Sequence, residues 1–188
     1  MQITPVDQYH NLFHVRDIMS QELCEKVYAT PWLDLSWKRQ EGQEHWRRRR
    51  IENAGIPWID QWNHYINAIW PAVGEAIGRN LEISYGTTWW LDEPGFTCGM
   101  HTDGELMGAM QIMWIAPNSQ LGTCFYHNKN GKQLRHRFAS EPNSGYIMLN
   151  FPRINGYTHL HWHSMLNPVP PGTFRLSSYT LLAPNEQQ

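Results

Sequence analysis

Apolar residues recur along the chain at two periods, and the change falls near residue 81. Ahead of it the spacing is helical. Leu23, Val27 and Tyr28 share one helix face between Gln21 and Thr30, with Ser20 placed to cap the start and Pro31 to stop the run. From Pro57 to about Arg79 the residues Ile59, Trp62, Ile66, Ile69, Trp70, Val73 and Ile77 return every three or four positions. Pro71 interrupts that pattern, which predicts a kink there or two helices. Leu12 to Ile18 predicts a strand leading into the first helix.

Beyond residue 81 short alternating or apolar runs are separated by turn-forming residues. Strands are predicted near Ile83–Leu91, Phe96–His101, Ala109–Ile115, Cys124–His127, Arg135–Phe138, Tyr146–Phe151, Leu160–Leu166 and Arg175–Leu182. The intervening Asp92-Glu93-Pro94-Gly95, Asn128 to Gly131, Glu141 to Gly145 and Pro168 to Gly172 have turn compositions. About eight short strands at even spacing predict a mainly β fold of double-sheet, jelly-roll character, packed on two or three N-terminal helices. Residues 1–80 would form the helical support and residues 81–188 the β core of one compact domain.

Composition narrows the class. At 188 residues the chain suits a single domain. Its 13% aromatic content, with 10 Trp, excludes a disordered protein. A net charge of −2 gives no global field for nucleic acid or an anionic membrane. No apolar run is long enough to span a bilayer, and the N-terminus lacks the pattern of a signal peptide. Cys24, Cys98 and Cys124 are odd in number and share no CxxC spacing, which fits a reducing, cytoplasmic setting. The polar stretch Lys38 to Gly55 contains Arg47-Arg48-Arg49-Arg50, which reads as a solvated loop ahead of a phosphate or nucleic-acid patch.

Three clusters offer chemistry. His101-Thr102-Asp103 would place an imidazole and a carboxylate on one face of a strand. His159, His161 and His163 alternate near the end of the strand region, and Arg175-Leu176-Ser177 puts two polar side chains on one face of the last strand. Taken singly, each is better explained as an exposed edge or a surface pair. Together they differ: two imidazoles and a carboxylate bind divalent iron on one triangular face and leave positions for a bidentate oxo acid and oxygen. An Arg fork then suits the second carboxylate of such an acid.

In this order the residues resemble the 2-oxoglutarate/Fe(II)-dependent dioxygenases, particularly their prolyl 4-hydroxylase-like branch. The resemblance spans roughly residues 81–183. It rests on Asp92-Glu93-Pro94-Gly95 leading into His101-Thr102-Asp103, on Met113-Trp114-Ile115 followed by Gly122-Thr123-Cys124-Phe125, on the Gly-led strand Gly145 to Phe151, and on Trp162-His163-Ser164-Met165 followed by Pro168-Val169, Gly172 and Arg175-Leu176-Ser177.

The resemblance implies a double-stranded β-helix and an oxygenase. It would use Fe(II) and 2-oxoglutarate, with ascorbate as an optional reductant, to hydroxylate a peptidyl (prolyl included) or small-molecule substrate and release succinate and carbon dioxide. His101, Asp103 and His163 would be the metal ligands, with His161 as runner-up for the distal position and His159 third. Arg175 and Ser177 would hold the co-substrate. Where the family often has a tyrosine before its Glu-Pro-Gly turn this chain has Asp92, so that contact would come from Trp90, Tyr85 or Tyr179. Asn150 stands where an apolar residue is usual. Trp89, Trp90, Trp114 and Trp162 could wall the pocket, although core packing explains at least half of them better. Lys38 to Gly55 would be a mobile lid. A cupin-like binding module and a zinc hydrolase remain as alternatives. The first predicts no 2-oxoglutarate affinity, and the second leaves Arg175 and Ser177 without a role.

Overall fold

The computed structural model describes residues 1–39, 47–51, 56–103, 108–150, 161–165 and 167–184, apart from the side chains at 57, 84, 85 and 184. His159, the side chain of Tyr85 and the parts of Lys38–Gly55 at 40–46 and 52–55 therefore lie outside the described residues. In chain order come strands β1 (Gln2–Pro5) and β2 (Leu12–Arg16), helix α1 (Gln21–Ala29), strands β3 (Trp37–Arg39) and β4 (Arg48–Ile51), and helix α2 (Pro57–Ile77). Then follow β5 (Leu81–Asp92), β6 (Cys98–His101), β7 (Gly108–Ile115), β8 (Cys124–Tyr126), β9 (Leu134–Arg137), β10 (Ser144–Leu149), β11 (Trp162–Met165) and β12 (Arg175–Pro184).

The two helices form where the spacing placed them. Ser20 caps α1 by accepting from the Leu23 N–H. Helix α2 ends at Gly78, whose φ of 66° lets the Arg79 N–H reach back to the Gly74 carbonyl. Contrary to the predicted break, α2 continues through Pro71 as one helix. Proline there removes only the bond its missing N–H would give Asn67, and the apolar face on both sides of it is buried against the sheet. No helix among the described residues is long and apolar enough to cross a membrane.

Among the described residues twelve strands form two sheets, ordered β1-β2-β10-β7-β12-β5-β4-β3 and β6-β11-β8-β9. Every pairing is antiparallel. This is a jelly-roll core flanked by α1 and α2. One face of the larger sheet meets the helices: Trp89, Leu91, Ile112, Trp114 and Leu176 pack with Trp62, Ile66 and Val73 of α2. Trp89 and Trp114 stack at 5.6 Å and Trp62 meets Trp114 edge-on at 5.5 Å, so these two strand tryptophans are core. The period of two then aims Trp90, Asp92, Gln111, Arg175, Ser177 and Tyr179 at the space between the sheets.

The polar stretch departs from expectation. Its described ends are strands: β3 pairs with β4, and β4 pairs with β5 through Arg48↔Asp92, Arg49↔Leu91 and Arg50↔Trp90. Arg48 to Arg50 are thus part of the larger sheet, neither a solvated loop nor, over these residues, a loose lid. Ion pairs replace apolar burial as the reason: Arg48 binds Asp92, while Arg39 and Arg49 bind Glu93.

Candidate metal centre and its cavity

Strands β6 and β11 are neighbours in the smaller sheet, and their pairing sets His163 directly opposite His101. The ring centroids lie 4.2 Å apart. Strand β6 ends at His101, so Asp103 follows the strand instead of sharing its face as the spacing suggested. Its carboxylate still turns back to the rings. Asp103 Oδ1 lies 3.3 Å from His101 Nε2 and 3.8 Å from His163 Nε2. One donor atom from each of the three residues falls within 4.8 Å of the others, and it is the one such group among the described residues.

Both rings are oriented by main chain. His101 Nδ1 lies 2.8 Å from the Gly99 carbonyl, and His163 Nδ1 2.8 Å from the His161 carbonyl. A carbonyl only accepts, so each Nδ1 carries a hydrogen, and Nε2 is the nitrogen of each ring that faces Asp103. This donor set fits a divalent first-row metal. On its other oxygen Asp103 accepts from Tyr179 Oη at 2.6 Å.

Electrostatics follow from these contacts. The hydrogen bond to Asp103 raises His101 to about 10. Burial opposes ionisation of Asp103, but the hydrogen bonds from His101 and Tyr179 and the neighbouring His163 together hold it at about 2. Burial lowers His163. Burial and the neighbouring Asp103 raise Tyr179, which stays a donor.

His161 takes a different place. Its Nδ1 lies 3.0 Å from Arg135 Nη1 and its Nε2 3.2 Å from the Leu149 carbonyl. Arginine only donates and the carbonyl only accepts, so both ring nitrogens are used and no lone pair remains for a metal. Burial accordingly pushes it down to about 3. Asn150 faces this network, its Oδ1 accepting from the His161 N–H at 3.0 Å.

The three metal-type residues open onto a cavity of about 250 Å³ that Trp90, Gln111, Tyr146, Arg175 and Arg48 also line. Arg175 is buried, with Nε 2.7 Å from Asp92 Oδ2 and Nη1 2.8 Å from the Leu121 carbonyl. Ser177 is fully buried and accepts from Gln111 Nε2 at 3.2 Å, so that Gln111, not Ser177, faces the cavity. Of the four tryptophans considered, Trp90 lines the cavity, and Trp89 and Trp114 belong to the core. Trp162 lies on β11 and does not line it.

Gln111 and Tyr146 were not singled out from sequence, whereas Arg48 was read only within the arginine run and Ser164 only within the resemblance. Gln111 carried a signal, as the lone amide in the buried strand β7. Tyr146 donates to Gln111 Oε1 at 2.5 Å. Ser164 Oγ is buried without a hydrogen-bond partner among the described residues, and Ser164 lines the cavity. Cys98 also lines it, with Sγ 3.6 Å from His101 Nδ1.

No protein-family model matches the sequence, and no curated protein does. Solved structures do match in fold. HygX from Streptomyces hygroscopicus, with nickel, 2-oxoglutarate and hygromycin B bound, superposes with a TM-score of 0.63 at 9% identity, covering 94% of this chain and 84% of that one. A prolyl-4-hydroxylase from Pseudomonas putida gives 0.62 at 14% identity and 94% of each chain. The non-heme α-ketoglutarate-dependent epimerase SnoN from nogalamycin biosynthesis gives 0.65 at 11% identity, over 93% of this chain and 78% of that one. The chain has the fold of the 2-oxoglutarate/Fe(II) oxygenases.

Proposed function

We propose that the protein is a 2-oxoglutarate- and Fe(II)-dependent oxygenase that hydroxylates a small-molecule or peptidyl substrate. The observation that carries this is the meeting of His101 Nε2, Asp103 Oδ1 and His163 Nε2 at the wall of a cavity that also contains a buried Arg175. Solved structures of the same fold contain nickel or iron and 2-oxoglutarate, which supports the assignment.

His101, Asp103 and His163 would hold the metal, and Arg175 the distal carboxylate of the co-substrate. When bound, Fe(II) and 2-oxoglutarate supply the oxidising chemistry: one atom of dioxygen goes to the substrate and the other to succinate, with loss of carbon dioxide. The chain's own residues provide orientation. The Gly99 and His161 carbonyls fix the two rings, and Tyr179 fixes the carboxylate that both rings face. Trp90 and Tyr146 give the cavity apolar walls that keep bulk water from the reacting groups. The substrate would be a compact organic molecule or a single side chain. Neighbours in fold bind hygromycin B or are named for prolyl hydroxylation, so both classes lie within the architecture's reach.

Anaerobic titration of the metal-free protein with Fe(II) and 2-oxoglutarate tests this reading. A visible metal-to-ligand charge-transfer band that weakens in His163→Ala and in Arg175→Ala is the expected result. Folded parent protein that develops no band removes the oxygenase reading.

A further inference from the structure

Arg48, Asp92 and Arg175 form a row across three adjacent strands, because Asp92 is the cross-strand partner of Arg48 on one side and of Arg175 on the other. Asp92 is fully buried and accepts from both. Arg48 Nε reaches Oδ1 at 2.5 Å and Arg48 Nη2 reaches Oδ2 at 3.1 Å, while Arg175 Nε and Nη2 reach Oδ2 at 2.7 and 2.6 Å. One carboxylate can neutralise one guanidinium. The row therefore carries one net positive charge, and that charge is present because of Arg48, since Asp92 and Arg175 alone would cancel.

Arg48 is held toward the cavity. Its guanidinium lies 4.4 Å from the ring centre of Phe96 and 5.3 Å from that of Trp90, and its side chain is 17% exposed. Its Nη1 has no hydrogen-bond partner among the described residues. Arg175 gives its Nε hydrogen to Asp92 and one Nη1 hydrogen to the Leu121 carbonyl, with Nη2 also 2.6 Å from Asp92 Oδ2, so both terminal nitrogens keep at least one further N–H. Both guanidinium groups line the cavity that holds His101, Asp103 and His163.

We propose that Arg48 is a second carboxylate-binding residue, which with Arg175 selects a 2-oxo acid carrying a distal carboxylate, and that Asp92 is the internal counter-ion positioning both arginines. The proposal rests on the oxygenase reading above. A single carboxylate brings the row to neutrality and meets the free N–H groups of both arginines. A 2-oxo acid without that carboxylate leaves one charge uncompensated among largely buried groups, a costly arrangement. This gives the arginine run a role that its composition does not show. Arg48 faces inward to the cavity, whereas Arg49 pairs with Glu93 at the surface.

The test compares parent, Arg48→Met and Arg48→Lys. Anaerobic calorimetry on Fe(II)-loaded protein would measure affinity for 2-oxoglutarate and for 2-oxobutyrate, which lacks the distal carboxylate. Mn(II) uptake without any oxo acid, read by electron paramagnetic resonance, reports the metal site separately. Arg48→Met is expected to weaken 2-oxoglutarate binding by about tenfold or more, the loss for a charge-assisted hydrogen bond, to strengthen 2-oxobutyrate binding by removing the uncompensated charge, and to leave Mn(II) affinity unchanged. Arg48→Lys should fall between, keeping charge without the fork. Asp92 remains paired with Arg175 in both variants, and if Arg48→Met does not fold, Arg48→Lys carries the same comparison. An unchanged preference for 2-oxoglutarate over 2-oxobutyrate in the folded variants overturns the proposal and leaves the oxygenase reading standing. Parent protein that takes up Mn(II) but binds neither oxo acid overturns both.

Discussion

Tyr179 donates its hydroxyl hydrogen to Asp103 Oδ2 at 2.6 Å, while Asp103 Oδ1 faces the two imidazoles. A strand of the larger sheet thus fixes a carboxylate whose histidine neighbours belong to the smaller sheet. Asp103 lies beyond the end of β6, outside the backbone ladder, so this hydroxyl supplies orientation that the strand does not.

Tyr179→Phe removes that bond with little change in volume. Metal affinity should fall by about tenfold to a hundredfold, the usual cost of losing a partner of a metal ligand. Mn(II) titration of the metal-free variant checks this. Unchanged affinity would show that His101 and His163 suffice to orient Asp103.

His161 and His163 share strand parity but make opposite use of their nitrogens. His163 leaves Nε2 free toward Asp103, whereas His161 spends both nitrogens on Arg135 and the Leu149 carbonyl. His163→Ala should abolish metal binding while the fold persists. His161→Gln should keep metal binding and lower stability by about 1–3 kcal/mol, because Arg135 and the Leu149 carbonyl lose a buried partner. Metal titration together with urea unfolding separates the two effects. Loss of metal in His161→Gln at unchanged stability would reverse the assignment.

The eight strands beyond residue 81 were legible because each is a short apolar or alternating run bounded by turn residues, as in Gly108–Ile115, which Pro117 and Asn118 follow. Strand β4 was not. Arg48 to Arg50 has no apolar alternation, and its place in the sheet depends on Asp92 and Glu93, more than forty residues away. Asp92 misled for the same reason. Beside Glu93-Pro94-Gly95 it looks like turn residue, yet it ends β5 in full burial because Arg175, 83 residues onward, lies across from it. The pairing of His101 with His163 was suggested by residue types and order. The strand register that sets them opposite one another, and the carbonyls that fix their tautomers, are products of the tertiary fold.

Gly145 sits opposite Ile112 where β10 and β7 pack closely, next to the cavity-lining Tyr146. A Cβ at this position would lie 1.8 Å from the Gln111 carbonyl oxygen, on the strand whose side chain partners Tyr146 and Ser177. Since the obstacle is backbone, β10 and β7 must separate to admit a methyl group. Gly145→Ala should lower stability by at least about 2 kcal/mol by overpacking. It should also weaken 2-oxoglutarate binding through displacement of Gln111. Denaturant unfolding measures the first and calorimetry the second. A variant as stable as the parent would mean that the two strands separate at little cost.

Asp92 gives a pH dependence with a definite sign. Burial disfavours its charge, but Arg48 and Arg175 outweigh that and hold its carboxyl below the ordinary value near 3.8. A carboxylate depressed on folding contributes fully above its unfolded pKa, and the contribution is lost as pH falls through the folded one. Asp92→Asn leaves two arginines without their counter-ion and should cost about 3–5 kcal/mol at pH 7. Below about pH 4 the unfolded parent's carboxyl takes up a proton, and the folded parent's does so only at still lower pH, where it becomes nearly equivalent to the amide. The stability gap between parent and variant should therefore narrow steadily as the solution is acidified. Urea unfolding of both proteins from pH 7 down to the lowest pH at which they fold measures it. A gap that stays constant would mean that the loss in Asp92→Asn comes from packing, and that the carboxylate's charge is not what holds the two arginines in their row.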